Sequence, residues 1–186
     1  SANSNSANSY SKNFKFFLCF CKRLTTFAED LFINNPDITT VDSLFYGSSI
    51  QGYPSTLFDP LTNLKTATSC FKNSGVVIVL PGLFSKCTKL TNVSSCFANC
   101  AYLESIQTGF LSSNPNLTSV RALFDGSVGV TYFNLTFPAT GISDAQDFCE
   151  LNSNSYSRII RCPAGSTTAT TLKALPASMG LTIEEY

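Results

Sequence analysis

The chain has 186 residues, 44% of them apolar and only 13% charged, and its twelve basic and twelve acidic side chains cancel. That length suits one domain or one elongated array with a sizeable buried core. A net charge of zero gives no basic footprint for nucleic acid or anionic lipid, and the absence of histidine removes the commonest general base and metal ligand.

Residues 1–12 form a Ser/Asn/Ala-rich stretch that reads as a flexible, solvated tail. A chain that begins at Ser1 is expected to be a processed product or a fragment. NFKFFLCFCKR (13–23) resembles a signal-peptide core but is followed by no small-residue cleavage site. The strongest apolar run, GVVIVLPGLF (75–84), is interrupted by Pro81 and Gly82 and is too short to span a bilayer, so no membrane insertion is expected.

LTNVSSCFANC (90–100) resembles a metal site, with Cys96 and Cys100 four apart. It is also one copy of a pattern: apolar, three on apolar, four on Phe, three on small. Leu90, Val93, Phe97 and Cys100 follow it, as do Ile38, Val41, Phe45, Ser48; Leu64, Ala67, Phe71, Ser74; and Leu117, Val120, Phe124, Ser127. These copies lie 26, 26 and 27 residues apart, a spacing typical of stacked arrays.

A second set lies between them. It comprises Leu24, Phe27, Leu31, Asn34; Ile50, Tyr53, Leu57, Pro60; Val77, Leu80, Phe84, Cys87; Leu103, Ile106, Phe110, Ser113; Val130, Phe133, Phe137, Thr140; and Ile142, Ala145, Cys149, Asn152. The unit is then a half-repeat of about 13 residues. Asn13, Phe16 and Phe20 extend the register to the start, and Leu172, Leu175 and Met179 extend it towards the end. Only 153–171 is loose, with Tyr156 and Ile159 as a degraded copy.

The third position reads Phe20, Leu31, Phe45, Leu57, Phe71, Phe84, Phe97, Phe110, Phe124, Phe137, Cys149, all apolar. This spacing predicts an α/β or β-rich solenoid: a leucine-rich-repeat-like, right-handed stack of coils with short parallel strands and single helical turns around each Phe. The predicted organisation is a tail over 1–12, the repeat over 13–152, and an irregular C-terminal continuation or cap over 153–186.

Cys70 and Cys96 share a slot that Leu44 and Leu123 fill elsewhere, which reads as core. Cys87 and Cys100 occupy the corner slot. Cys96 and Cys100 lack zinc-knuckle spacing, and Cys19 and Cys21 alternate sides, so no metal is expected. Cys149 and Cys162 are the candidate disulfide. Asp144 and Asp147 fall in one turn and could share a calcium, but a capped, solvated turn is the better reading. Glu29–Asp30 and Glu184–Glu185 read as solvated pairs. No nucleophile elbow, phosphate loop or dinucleotide fingerprint is present, so neither catalysis nor a cofactor is expected. Sequons at Asn92, Asn116 and Asn134 are candidate glycosylation sites.

The Leu-Thr-x-Val…Phe-x-x-Cys…Leu-x-x-Ile pattern, best in residues 64–84 and 90–110, resembles the BspA-type leucine-rich repeats. It is closest to the longer variant of mycoplasma and Bacteroidetes surface proteins, and similar repeats suit phage virion surfaces. The resemblance covers about residues 14–150. It implies a non-enzymatic protein, extracellular on a cell or virion surface, used for adhesion to protein or glycan. From the repeat register, the candidate contact face is Thr39, Thr40, Lys65, Thr66, Thr91, Asn92, Glu104, Ser105, Thr118 and Ser119. The alternative is a structural subunit of a filament or virion that self-associates through uncapped ends, because the first coil, FKFFLCF, is markedly apolar.

Overall fold

The computed structural model describes residues 13–25, 30–130, 132–149 and 158–186. The predicted tail over 1–12, Phe27, Glu29, Asn152 and Tyr156 lie outside the described residues.

The expected fold class is corrected here. Regular structure among the described residues is sparse: two short open parallel sheets, one α-helix and one 3₁₀ turn, with no repeat solenoid evident. Strands β1 (Ile78–Val79) and β2 (Ser105–Ile106) pair in parallel. Strands β3 (Phe133–Thr136), β4 (Arg158–Cys162) and β5 (Leu181–Glu185) form a three-stranded parallel sheet with β4 in the middle. Helix α1 (Thr167–Lys173) is capped by the Ser166 hydroxyl, which accepts from the Ala169 amide, and it buries Thr168, Ala169 and Leu172.

On the opposite side, the strands expected in each coil reduce to single parallel bridges: Asn13–Thr40, Thr40–Thr66, Thr66–Asn92, Asn92–Ser119 and Ser119–Asp144. The reason is local. The bridging side chain accepts the N–H two residues on, as Asn13 does from Lys15, Thr40 from Asp42 and Asn92 from Ser94. Such side-chain turns compete with a continuing ladder. The residue after that amide is already left-handed: Phe16, Ser43, Ser69, Ser95, Ala122 and Asp147 share this register and all have φ between 50° and 60°.

The expected helical turns around the Phe are replaced by consecutive β-turns. Leu44, Tyr46 and Ser48 donate to Val41, Ser43 and Phe45, closing turns of four residues. The alternate amides of Val41, Ser43, Phe45 and Gly47 donate to the carbonyls of Thr66, Thr68, Cys70 and Lys72. Every second N–H thus closes a turn and the others cross to the next segment. The left-handed residue at the third turn position is what this geometry requires. The donor row ends at Ala145 and Asp147, whose amides have no acceptor among the described residues, while the carbonyls of Lys15 and Phe17 have no donor there.

The core lies between the bridged side and the sheets, and two columns of phenylalanine run through it. Phe45, Phe71, Phe97 and Phe124 follow one another at ring separations of 5.1, 5.2 and 6.1 Å. Phe32, Phe58, Phe84 and Phe110 do so at 5.7, 5.4 and 6.1 Å. The predicted register slips in two places. Phe32 and Phe58 take the column positions expected of Leu31 and Leu57. At the start, Asn13 pairs with Thr40 rather than aligning with Ile38, so Leu18 heads the first column. Phe16 and Phe20, expected as rungs, land on left-handed turn positions and are 62% exposed each.

The corner slot has a chemical reason. Its occupant donates to the carbonyl of a phenylalanine in the preceding segment: Cys87 to Phe58, Cys100 to Phe71, Asn114 to Phe84 and Ser127 to Phe97. Asn114, not the expected Ser113, fills it in the third case. Buried carbonyls need such partners.

Candidate functional site

The predicted contact residues divide between two sides of the molecule. Thr40, Thr66, Asn92 and Ser119 form the bridged row, with Thr39, Lys65, Thr91 and Thr118 one residue before each. Glu104 and Ser105 sit instead at strand β2, paired with β1 on the other side. No single face holds all ten.

The bridged row is bonded to itself. The Thr66 hydroxyl donates to that of Thr40 at 2.9 Å, Ser94 and Ser119 share a bond of 2.7 Å, and Ser119 donates to Asp144 at 3.0 Å. Thr91 and Thr118 return their hydroxyl protons to the carbonyls of Lys65 and Thr91. The bridged residues follow one another at the pitch of neighbouring strands, about 4.8 Å. Lys65 and Thr118 are exposed.

A second surface lies at the corner that leads off the turns, a cleft of about 460 Å³. Lys22, Ser48, Gln51, Asn73, Asn99 and Tyr102 contribute to it from four successive segments, and Lys22 is the one charged residue lining it. Gly75 leaves its floor bare, because a Cβ there would stand 3.2 Å from the Ile50 carbonyl oxygen. The Asn73 amide is held by donation to the Tyr46 hydroxyl at 2.9 Å. Ser48 occupies a corner slot and is 2% exposed, yet its hydroxyl has no hydrogen-bond partner among the described residues. Sequence reasoning misses this cleft, because Ser48 looks the same as Ser74 and Ser127.

A third cleft, about 470 Å³, opens between Ser143–Asp147 and the Thr171–Met179 segment that follows from α1. Asp144 and Asp147 line it, and Arg121 lies 3.9 and 3.7 Å from their carboxylates. One guanidinium thus serves both acids, and Asp144 also accepts from the Ser119 hydroxyl. Among the described residues, no three His, Cys, Asp or Glu side chains converge as metal ligands.

The expected Cys149–Cys162 disulfide is not formed; all eight cysteines are free thiols. Cys149 ends the bridged side opposite Phe124, while Cys162 ends β4 beside Glu185. Burial pushes three of these thiols far up, Cys87 to about 12 and Cys100 and Cys149 to about 11. Glu184, predicted to be solvated, meets Arg161 at 2.8 Å, and Glu185 meets Lys173 at 2.6 Å. Of the sequons, Asn92 is half-buried in the bridged row, Asn134 is held in β3 by Arg161, and Asn116 is exposed with its amide donating to the Thr88 carbonyl.

Comparison with protein-family models, curated proteins and solved structures finds no match to this chain.

Proposed function

We propose that this chain is a non-enzymatic contact protein of an exposed surface, extracellular on a cell or virion, which engages protein or glycan partners. The observation that supports this reading is the row Thr40, Thr66, Asn92, Ser119 with its flanking Thr39, Lys65, Thr91 and Thr118. It is an array with Lys65 as its charged member, whose hydroxyls are positioned by their own bonds before any partner arrives, and such preorganisation lowers the entropy lost on binding. Thr91→Arg with Thr118→Arg tests it, using the labelled chain on intact cells and on a printed glycan array. Binding lost with the melting temperature unchanged is the expected result. Undiminished binding to every surface would remove the row from the contact.

A second reading, a structural subunit that packs on copies of itself, is favoured by a different observation. Phe16, Phe17 and Phe20 are 62%, 66% and 62% exposed at one end of the molecule. Exposed aromatic clusters of this kind mark association sites.

A further inference from the structure

The first segment, residues 13–23, differs from the later ones in what it exposes. Phe16 and Phe20 occupy its two left-handed turn positions, with φ of 60° and 57°. In later segments the first position holds Ser43, Ser69, Ser95, Ala122 and Asp147, and the second holds Gly47, Asn73, Asn99 and Gly126. Small or polar residues enter a left-handed backbone more readily than bulky ones. Phe16 and Phe20 nonetheless stand there, each 62% exposed, beside Phe17 at 66%. No other phenylalanine among the described residues is exposed. Two of the rings are supported from behind: Phe17 leans on Phe14 at 5.3 Å, and Phe20 meets Tyr46 edge-on at 5.2 Å. Core packing gives no reason for these three side chains, and an exposed aromatic cluster marks a contact.

The charges beside them indicate the partner. The zero net charge of the chain conceals a local excess, because residues 13–23 hold Lys15, Lys22 and Arg23 and no acid. All three are exposed. Lys15 lies 3.1 Å from Asp42, while Lys22 and Arg23 make no ion pair among the described residues. Exposed rings set among cations on one short segment match a layer that is anionic outside and apolar within. A second copy fits less well. Two starts meeting would set like charges against each other. At the far end α1 follows the last turn segment, its Thr168 hydroxyl accepting from the Ile142 amide, and the acids there, Asp144 and Asp147, are already engaged by Arg121.

We propose that the start of the molecule docks on an anionic phospholipid surface. Phe16, Phe17 and Phe20 enter the boundary between headgroups and acyl chains, and Lys22 and Arg23, with Lys15, contact the lipid phosphates. The contact is peripheral: among the described residues, no helix is long and apolar enough to cross a membrane. It adds a lipid partner to the protein or glycan contacts proposed above, and it occupies the face that self-packing would need.

Cosedimentation of the full chain with vesicles tests this, using phosphatidylcholine alone and phosphatidylcholine with phosphatidylglycerol. The parent chain should pellet with the anionic vesicles only, and less so as salt rises. Lys22→Glu with Arg23→Glu should weaken binding at least about tenfold. Phe17→Ser with Phe20→Ser should abolish it. Phe16→Gly suits the left-handed backbone, so it should weaken binding while the melting temperature holds or rises. That variant keeps lost binding distinct from lost folding. The proposal is overturned if the chain pellets with neither vesicle or equally with both. It is also overturned if either double variant binds like the parent. Light scattering without lipid separates the two occupants: a mass that rises with concentration while vesicles stay unbound gives the face to a second copy and sinks the lipid site. The bridged row is tested by other variants and stands or falls separately.

Discussion

Phe97 shows what a single side chain does in this core. It is fully buried, lies 5.2 Å from Phe71 with the rings 2° from parallel, and meets Phe110 edge-on at 5.8 Å. Each such pair adds about 0.5–1.5 kcal/mol beyond the area buried. Phe97→Ala should therefore cost about 3–5 kcal/mol in denaturant unfolding; a loss below about 1 kcal/mol would show that the column does not pack as described. Gly129 makes the complementary case, because a Cβ there would stand 2.5 Å from the backbone oxygen of Leu103. Gly129→Ala should lower stability by about 1–3 kcal/mol, and a neutral result would mean that the two segments are not in contact. The thiols provide a chemical check. Six are buried and two, Cys19 and Cys21, are partly exposed. An aromatic disulfide reagent should titrate those two quickly and reach the rest only on unfolding. Rapid reaction of all eight would contradict the burial.

At the scale of elements, the spacing of the phenylalanines is legible in the sequence, but the fold class is not. Where aromatic or apolar residues adjoin, as in Phe16-Phe17-Leu18, Leu31-Phe32 and Leu57-Phe58, two registers one or two residues apart satisfy the pattern equally. Only packing against the next segment chooses between them. Strands are expected because stretches such as Leu-Thr-x-Val read as short extended pieces. The Thr, Asn and Ser that look like outward strand residues instead capture the amide two positions on and end the strand at one bridge. That signal is present in the sequence as a side-chain turn, but periodicity alone does not weigh it. The corner cleft is harder to see, since its residues come from four separate segments. The last strand makes a pH prediction. Donation from Lys173 holds the Glu185 carboxyl below its usual range, with the Gly165 amide assisting. A depressed carboxylate contributes stability above its unfolded pKa and loses it as pH falls through the folded value. Protection of the β5 amides against hydrogen exchange should fall as pH drops below the usual glutamate range, and Lys173→Gln should remove that pH dependence. An acid response identical in the variant would separate the strand from this pair.

For the whole molecule, the question is whether the exposed start is a meeting point. Light scattering over a concentration series should show mass rising if the Phe16, Phe17 and Phe20 cluster associates, and Phe17→Ser with Phe20→Ser should abolish the rise. A constant mass for the parent chain would remove the assembly reading and leave the contact reading in place. Strand β5 lies at the outside of its sheet with one side unpaired, and such an edge is a template for added chain.

The alternate amides of the turns have a consequence that reaches beyond the single molecule. They all donate towards the C-terminal side, so among the described residues the row begins with carbonyls at Lys15 and Phe17 that lack donors and ends with amides at Ala145 and Asp147 that lack acceptors. The two ends are therefore not interchangeable. Any fibre these chains built would have a front and a back, would grow at different speeds from each, and could not form by like ends meeting. A labelled seed that elongated equally from both tips would show that these groups take no part in its growth.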